Sequence, residues 1–148
     1  MKIVLDTNVL VAGLLSPYGP PGEIVRMVAA GALTLLYDAR ILSEYGDVLR
    51  RKKFGFAEEH VSPLLEYIAR SGRAVAPLPL PDPLPDADDE PFLEVAVAGK
   101  AECLVTGNLS HFPAGEHGGM RVLSPDRFLL YYRERARTKR TNRKPAGR

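Results

Sequence analysis

The stretch that decides the fold is MKIVLDTNVLVAGLLS, residues 1–16. It begins with a short run of β-favouring apolar residues at 2–5 and meets a carboxylate, Asp6, where that run ends. Thr7 and Asn8 follow, and a second apolar run begins after them. A polar residue at a strand end is ordinary turn chemistry when it stands alone, because Asp and Asn commonly occupy such positions. Whether Asp6 does more depends on the rest of the chain.

Short β-favouring segments alternate with longer segments of helical periodicity along the chain. The predicted strands lie at 2–5, 33–37, 74–76, 102–106 and 121–123. The predicted helices lie at 23–30, 40–52, 57–71, 91–100 and from Ser124 onward. Strands separated by helices of this length are typical of an α/β fold. We therefore predict a central, mainly parallel sheet flanked by helices on both faces, an α/β/α sandwich.

Prolines at alternate positions from Pro77 to Pro85 interrupt this alternation. Proline lacks the N–H that helices and central strands need, so these residues predict an extended connector. A length of 148 residues suits one domain, and we assign residues 1–132 to it. Too little chain follows the connector to form a second core.

The remaining residues, 133–148, predict a basic and flexible C-terminal tail. They hold eight of the 20 Lys and Arg residues and one of the 18 acids, which leaves 12 basic and 17 acidic residues in the domain. The tail is thus near +7 and the domain near −5. Such a tail is either a solvated, disordered terminus or an arm that contacts phosphates. A phosphate contact would weaken as the salt concentration rises.

The sequence predicts neither a targeting segment nor a membrane span. Its start enters a strand and meets Asp6 at once, and no run reaches the ~18 apolar residues of a membrane helix. The one cysteine, Cys103, cannot form an internal disulfide and lies in an apolar run where burial is favoured. These features predict a soluble protein of the reducing cytoplasm.

Polar residues follow three of the predicted strands at their carboxyl ends. They are Asp6-Thr7-Asn8, Asp38 and Thr106-Gly107-Asn108. Open sheets of this kind bind their ligands beyond the carboxyl ends of the strands. We therefore expect the chemistry of this protein at that edge of the sheet.

Two further sources of acids point to the same chemistry. Glu44 lies on a predicted helix, where a lone glutamate would be an ordinary solvated carboxylate. The run Asp86-Ala87-Asp88-Asp89-Glu90 precedes another helix, and N-terminal capping explains one of its acids, Asp89 or Asp88. Four acids in five residues repel one another unless they are solvated or bind cations. If Asp6, Glu44 and Asp89 meet, they supply the oxygen ligands that Mg²⁺ or Mn²⁺ needs to promote attack on a phosphodiester.

Other chemistries find less support. The three histidines, His60, His111 and His117, have no Cys or His partners at zinc spacing. The sequence has no Gly-rich phosphate loop with its lysine and no Gly-x-Ser-x-Gly elbow. Asp6-Thr7-Asn8 resembles the Asp-x-Asp motif of haloacid-dehalogenase-type phosphatases, which leaves that reaction as a third alternative. Asn8 stands there in place of the acid–base aspartate.

Four motifs, in order, resemble those of PIN-domain proteins, particularly the VapC-like branch of toxins from toxin–antitoxin pairs. They are MKIVLDTNVLVAGLLS at 1–16, ILSEYGDVLRRKKF at 41–54, and DADDEPFLEVAVAGKAECLVTGN at 86–108, which carries the third and fourth motifs. The resemblance runs from residue 1 to about residue 130. It implies a PIN fold, cleavage of single-stranded RNA with Mg²⁺ or Mn²⁺, an antitoxin partner and a homodimer.

The resemblance also assigns roles to the acids by their positions. It makes Asp6 the first acid of the metal site, Glu44 the second and Asp89 the third. Asp88 is the alternative for the third position, followed by Asp86. Glu94 lies one helical turn after Glu90, where an ordinary helix surface position is expected.

The fourth motif departs from the family pattern, because Asn108 stands where many members have a fourth acid. A neutral amide weakens a second cation site, so the number of metals, one or two, stays open. Asn108 or Thr106 would orient water or phosphate, with Thr7 and Asn8 in support. The alternative to an endoribonuclease is a weakly catalytic or non-catalytic PIN-fold module that binds RNA or a protein.

Overall fold

The computed structural model describes residues 1–113 and 116–143, which form six strands and six helices. The strands are β1 (Lys2–Leu5), β2 (Thr34–Tyr37), β3 (Arg73–Ala74), β4 (Cys103–Val105), β5 (Glu116–His117) and β6 (Met120–Leu123). The helices are α1 (Thr7–Leu15), α2 (Pro20–Ala29), α3 (Ala39–Leu49), α4 (Glu58–Ser71), α5 (Glu90–Ala98) and α6 (Pro125–Arg143). Short 3-10 helices lie at Lys52–Phe54, Ala87–Asp89 and Leu109–His111.

The strands form one sheet in the order β3-β2-β1-β4-β6-β5. Its neighbouring strands are parallel except for β5 and β6, so the predicted α/β fold with a mainly parallel sheet is confirmed. Ile3 lies opposite Cys103, and Leu5 lies opposite Val105. β1 and β4 therefore run side by side and end together. We call the edge at which Leu5 and Val105 end their strands the carboxyl edge.

The central strands β1 and β4 carry the core of the protein. Residues 3–5 and 103–105 are all fully buried. Successive residues of a strand point to opposite faces of the sheet, so burial of every residue means that both faces are covered. Burial raises the pKa of the Cys103 thiol to about 12, so this cysteine stays protonated in the interior.

Helix α1 is an element that the sequence periodicity did not reveal. Its residues, TNVLVAGLL, are apolar on almost every side, so the alternation of apolar and polar faces that identifies an amphipathic helix is missing. It packs closely against α2. A Cβ atom at Gly13 would lie 2.6 Å from the carbonyl oxygen of Pro21, so only glycine allows this approach.

The region 107–119, between the predicted strands at 102–106 and 121–123, contains the two-residue strand β5. His117 pairs with Met120 in an antiparallel hairpin whose connection is Gly118-Gly119. Both glycines have positive φ, 58° and 90°, as tight hairpin turns require. A strand of two residues has too little periodicity to be visible in the sequence.

Helix α6 changes the interpretation of the basic tail. It continues to Arg143, so residues 133–143 are helical where a flexible tail was predicted, and 144–148 lie outside the described residues. Arg135 pairs at 3.3 Å with Glu102, which precedes β4. By Arg135 the helix has therefore reached the edge opposite the carboxyl edge. The following eight residues carry it about 12 Å further at ~1.5 Å per residue.

The proline connector, residues 75–86, contains neither helix nor strand, as its composition predicts. Leu80 and Leu84 are partly buried against the core, so the connector lies along the body of the protein. It ends in the 3-10 helix at Ala87–Asp89, which leads directly into α5. None of the helices in the described ranges is both long and apolar enough to cross a membrane.

Candidate active site

Asp6 stands at the centre of the carboxyl edge. Its backbone N–H donates to the carbonyl of Val105 at 2.9 Å, and its carbonyl accepts from Val9 at 3.0 Å in the first turn of α1. The residue thus belongs to the sheet on one side and begins a helix on the other. Its side chain makes no capping bond to α1 and is only 6% exposed. The carboxylate therefore lies buried inside the site.

Thr106 holds this carboxylate in place. The fully buried Thr106 hydroxyl donates to Oδ2 of Asp6 at 2.8 Å. The same hydroxyl oxygen accepts from the backbone N–H of Asn108 at 3.0 Å. The loop after β4 is in this way tied to the acid at the end of β1. Thr106 is thus in direct contact with Asp6, and its role in the site stays a prediction.

The electrostatics of Asp6 show which other acids approach it. Burial raises the pKa of Asp6 to about 6, and the charges of Asp89 and Glu44 act in the same direction, while the bond from Thr106 lowers it. Three carboxylates, one just after β1, one on α3 and one just before α5, therefore share one region of the carboxyl edge. Mutual repulsion of this kind is relieved when a cation binds between the acids.

Helix α3 brings Glu44 and Tyr45 to the site. Asp38 begins this helix, and its side chain accepts from the backbone N–H of Ile41 at 3.0 Å. The hydroxyl of Thr7 donates to Oε2 of Glu44, so α1 and α3 are joined at the site. The fully buried Tyr45 donates its hydroxyl to the carbonyl of Leu5 directly below Asp6. Burial and the nearby acids raise the pKa of Tyr45, which keeps it a neutral donor.

The acids of residues 86–90, before and at the start of α5, make different contacts. The exposed Asp86 accepts from the backbone N–H of Asp88 at 2.9 Å and so caps the 3-10 helix. Glu90 accepts from the backbone N–H of Leu84 at 3.2 Å and holds the connector. Asp88 is exposed. Asp89 is the acid of this run whose charge acts on Asp6.

Asp89 is itself partly buried, with a side chain that is 14% exposed. Its Oδ2 lies 3.0 Å from Nδ1 of His111, which comes from the 3-10 helix after β4. Burial raises the pKa of Asp89, and the adjacent His111 opposes this effect. His111 therefore stabilises the carboxylate form of Asp89 when the imidazole donates to it.

The remaining predicted residues lie around these acids. Asn8 accepts from the backbone N–H of Gly107 at 3.2 Å, which ties the start of α1 to the loop after β4. Asn108 is exposed on that same loop. Glu94 forms an ion pair with Arg40 at 2.8 Å, and Arg40 also pairs with Asp38 at 2.8 Å. Glu94 is therefore neutralised at the rim of the site.

In the described part of the chain, no three His, Cys, Asp or Glu side chains already form a group that could hold a metal ion. Mg²⁺ often takes only one or two carboxylates and keeps several waters, so a closed group of side chains is not required. The available donors are carboxylate oxygens, and the pKa of the buried Asp6 is raised partly by the other two acids. This donor chemistry fits a hard divalent cation.

A cleft of about 440 Å³ opens beside the acids, between α1 and α3. Asp6 and Glu44 line one end of it, and Arg51 and Phe54 line the other. Sequence reasoning did not single out Arg51, although it belongs to the basic run at 50–53. It also missed Tyr45 and the pairing of His111 with Asp89, because such contacts join distant parts of the chain and leave no local pattern.

Comparison with known proteins gives two results. A family profile described as PIN domain matches residues 2–110, which include Asp6, Glu44, Asp89 and Asn108. An uncharacterized protein of Methanocaldococcus jannaschii is 27% identical over 111 residues, which cover 73% of this chain and 71% of that relative.

Proposed function

This chain belongs to the PIN domain family, whose fold is of the nuclease type, and we propose that it is a Mg²⁺- or Mn²⁺-dependent endoribonuclease that cleaves single-stranded RNA. The observation that carries the proposal is the buried Asp6 carboxylate, whose pKa is raised to about 6 in the company of Asp89 and Glu44. Burial and mutual repulsion hinder the ionisation of these acids. Keeping them together therefore costs the folded state free energy. A bound cation would offset this repulsion and so account for the arrangement of the acids.

We assign the cation to Asp6, Glu44 and Asp89, with Asp88 as the alternative to Asp89. A bound Mg²⁺ or Mn²⁺ supplies Lewis-acid stabilisation of the charge that develops on a phosphodiester during in-line displacement. The chain's own residues prepare the ligands for this. Thr106 orients the carboxylate of Asp6, and its bond leaves the second carboxylate oxygen available.

The other two acids are oriented by neighbours in the same way. The Thr7 hydroxyl donates to Glu44, and His111 contacts Asp89. Residues that hold metal ligands in this manner typically change metal affinity or activity about 10–100-fold when they are removed. Asn108, a neutral amide on the loop beside Thr106, favours one cation over two.

We further propose that the protein acts as the toxin of a type II toxin–antitoxin pair in the cytoplasm. The order and spacing of its four motifs support this role, which brings with it a cognate antitoxin protein and a homodimer. The alternative is a PIN-fold module that binds RNA or a protein and cleaves weakly or not at all. Asn108 in place of a fourth acid is the observation that favours this alternative.

One experiment tests the proposal. The purified full chain is incubated with mixed single-stranded RNA and DNA in Mn²⁺, Mg²⁺ or EDTA, beside Asp6→Asn. Asp82→Asn serves as the matched control, because Asp82 is an exposed acid of the proline connector. We expect RNA cleavage in Mn²⁺ or Mg²⁺ that EDTA and Asp6→Asn abolish and Asp82→Asn preserves.

Three results would contradict it. Cleavage that is absent in every metal, while RNA still binds, supports the binding module. Cleavage that survives Asp6→Asn places the chemistry elsewhere. Release of phosphate from small phosphomonoesters, without cleavage of polynucleotides, supports the phosphatase.

A further inference from the structure

We propose that the cleft between α1 and α3 is a nucleobase subsite, which receives one unpaired base of an RNA strand next to the cleaved phosphodiester. The inference rests on the proposed RNA cleavage and adds the feature that selects unpaired RNA. The cleft begins at the acids of the site, with Asp6 and Glu44 on its wall, and opens outward to Phe54. Whatever occupies it lies directly beside the reacting phosphate.

The walls of the cleft suit a planar apolar group. Val11 and Leu15 of α1 and Val48 of α3 line it, and Phe54 lines it further from the acids. The Leu15 side chain is 50% exposed, which is a large fraction for an apolar residue. At about 440 Å³ the cleft falls in the range of about 300–1,000 Å³ that is usual for small-ligand sites. A base buried here would cover apolar surface that is otherwise wet.

Phe54 is held so that it can act as a stacking platform. Its ring stacks on Phe56, with a centroid distance of 5.9 Å and an angle of 24° between the rings. The ammonium of the exposed Lys53 lies over the ring, 5.0 Å from its centroid, and a base that stacks on this face would displace it. A ring supported in this way loses little conformational freedom on binding. Bases stack on such rings with little dependence on sequence.

The charges along the cleft match those of a nucleotide chain. The acids at the inner end take a cation and through it a phosphate, while Arg51 lines the outer end and Lys52 and Lys53 are exposed beyond it. The neighbouring Arg50 is already paired with Glu58 at 2.8 Å, so it is Arg51 that faces the cleft. One nucleotide of the strand would therefore meet the cation with its phosphate, the apolar wall with the base on its ribose, and the guanidinium with the next phosphate.

This arrangement explains a preference for single strands without any contact to base edges. A base inside a duplex is covered on both faces by its neighbours and therefore cannot stack on Phe54. Removing it from the stack costs a few kcal/mol in a duplex and much less in a single strand. The subsite therefore selects strandedness and tolerates different bases.

The test measures RNA binding in Ca²⁺, which takes the same kind of oxygen ligands as Mg²⁺ in a looser geometry, so that the acids hold a cation while binding is read separately from cleavage. The probe is a labelled single-stranded RNA decamer, compared with decamers that carry one abasic ribose at each successive position. We expect one position at which loss of the base weakens binding about tenfold, as for loss of one stacked base. The other positions should change binding less than about twofold.

Variants connect this effect to the cleft. In Phe54→Ala the sensitive position should lose its effect, so that intact and abasic decamers bind equally. Phe54→Leu keeps apolar packing but lacks the aromatic ring, and it should retain only part of the effect. Tyr18→Ala is the control and should keep the full effect, because Tyr18 is an aromatic side chain that is 97% exposed and does not line the cleft.

Three outcomes would overturn the subsite. The first is that no abasic position weakens binding, and the second is that the effect survives unchanged in both Phe54 variants. The third is that Phe54→Ala converts a dimer to a monomer in sedimentation while RNA binding is unaltered, which makes the cleft an interface between copies. If cleavage occurs without a base effect, the nuclease proposal stands alone. If a base effect occurs without cleavage, the subsite stands on a binding module.

Discussion

Two acids of the site, Asp6 and Asp89, are held in opposite ways. Asp6 is part of the sheet, since its backbone bonds to Val105 of β4 and its carboxylate is buried against Thr106. Asp89 ends a three-residue 3-10 helix after a long connector, and the structure ties its carboxylate to a single side chain, His111. One acid is placed by the core and the other by a loop.

The contrast shows that the acids of one site can differ in the free-energy cost of burying their charges. Placement by the core is rigid, but burial makes ionisation of Asp6 costly and raises its pKa to about 6. Placement by a loop leaves the Asp89 side chain 14% exposed, so its burial is less complete, and it depends on fewer contacts. We therefore expect a substitution at Asp6 to change stability and activity in opposite directions. A substitution at Asp89 should act on activity with little change in stability.

Asp6→Asn is the substitution with the largest expected effect. We expect cleavage to fall by at least about a hundredfold, because the substitution removes a metal ligand and not merely its support. At neutral pH in EDTA the same variant should unfold at a higher urea concentration than the wild type. Kinetic assays and urea unfolding at one pH check both halves. A variant that is inactive and also less stable than the wild type would show that the buried charge does not lower the free energy of unfolding.

The pH dependence of stability tests the same point in the unmodified protein. The pKa of Asp6 is about 6 in the folded state against 3.8 ordinarily, so the folded protein binds the proton more tightly than the unfolded chain. Its contribution is favourable at low pH and is lost as the pH rises from about 4 to about 6. The loss amounts to about 3 kcal/mol at about 1.4 kcal/mol per pKa unit.

Urea unfolding of the wild type and Asp6→Asn in EDTA, across this range of pH, isolates that contribution. The difference in unfolding free energy between the two proteins should grow with pH and level off above about pH 6. A difference that stays constant across the range would contradict the assigned cause.

Asp89→Asn compared with Asp88→Asn sharpens the distinction between acids of one run. We expect about tenfold or more slower cleavage for Asp89→Asn, because its charge reaches Asp6. Asp88→Asn should change the rate less than about twofold, because Asp88 is exposed. Both variants should keep the wild-type unfolding midpoint within error. Equal losses in the two variants would move the third acid to Asp88 or divide its role.

His111 offers a smaller effect on the loop-held acid. His111→Ala should weaken Mn²⁺ binding about tenfold, since support of a metal ligand is lost. His111→Asn keeps a donor near Nδ1 and should restore part of that affinity. Calorimetric titration with Mn²⁺ measures this directly. If Asn and Ala behave alike, His111 contributes bulk and not orientation.

The smallest expected effect lies at the basic end of α6. Replacing Arg137, Lys139 and Arg140 together by Ala should weaken RNA binding mainly at low salt. The slope of log affinity against log salt should fall by up to about 2, at about 0.7 per lost phosphate contact. The cleavage rate at saturating RNA should not change, because α6 passes the edge opposite Asp6. An unchanged slope would make this end of the helix a solvated terminus.

The sequence predicted the sheet and most helices because their apolar periodicity is strong and local. It missed α1, which is apolar on almost all sides, and β5, which has only two residues. The helix over 133–143 was also missed, because a charge-rich composition without an apolar face resembles a disordered tail.

The candidate site could be predicted only in part for a different reason. Asp6, Glu44 and Asp89 occupy motif positions that are readable along the chain. The pairing of His111 with Asp89 and the placement of Tyr45 beneath Asp6 are contacts across the fold. Periodicity and spacing contain no information about them. The same holds for Arg51, whose orientation toward the cleft depends on how α3 packs against α1.

The proline connector has a consequence for the entropy of the unfolded chain. A proline in a compatible position lowers the number of unfolded conformations and stabilises the folded state by about 0.4–1 kcal/mol. Five of them lie between Pro77 and Pro85, just before the acidic run. Asp89 therefore reaches the site on a chain that was already restricted before folding, and little freedom is left to lose there. Glycines at those five positions would loosen the third acid first and leave the sheet that holds Asp6 intact.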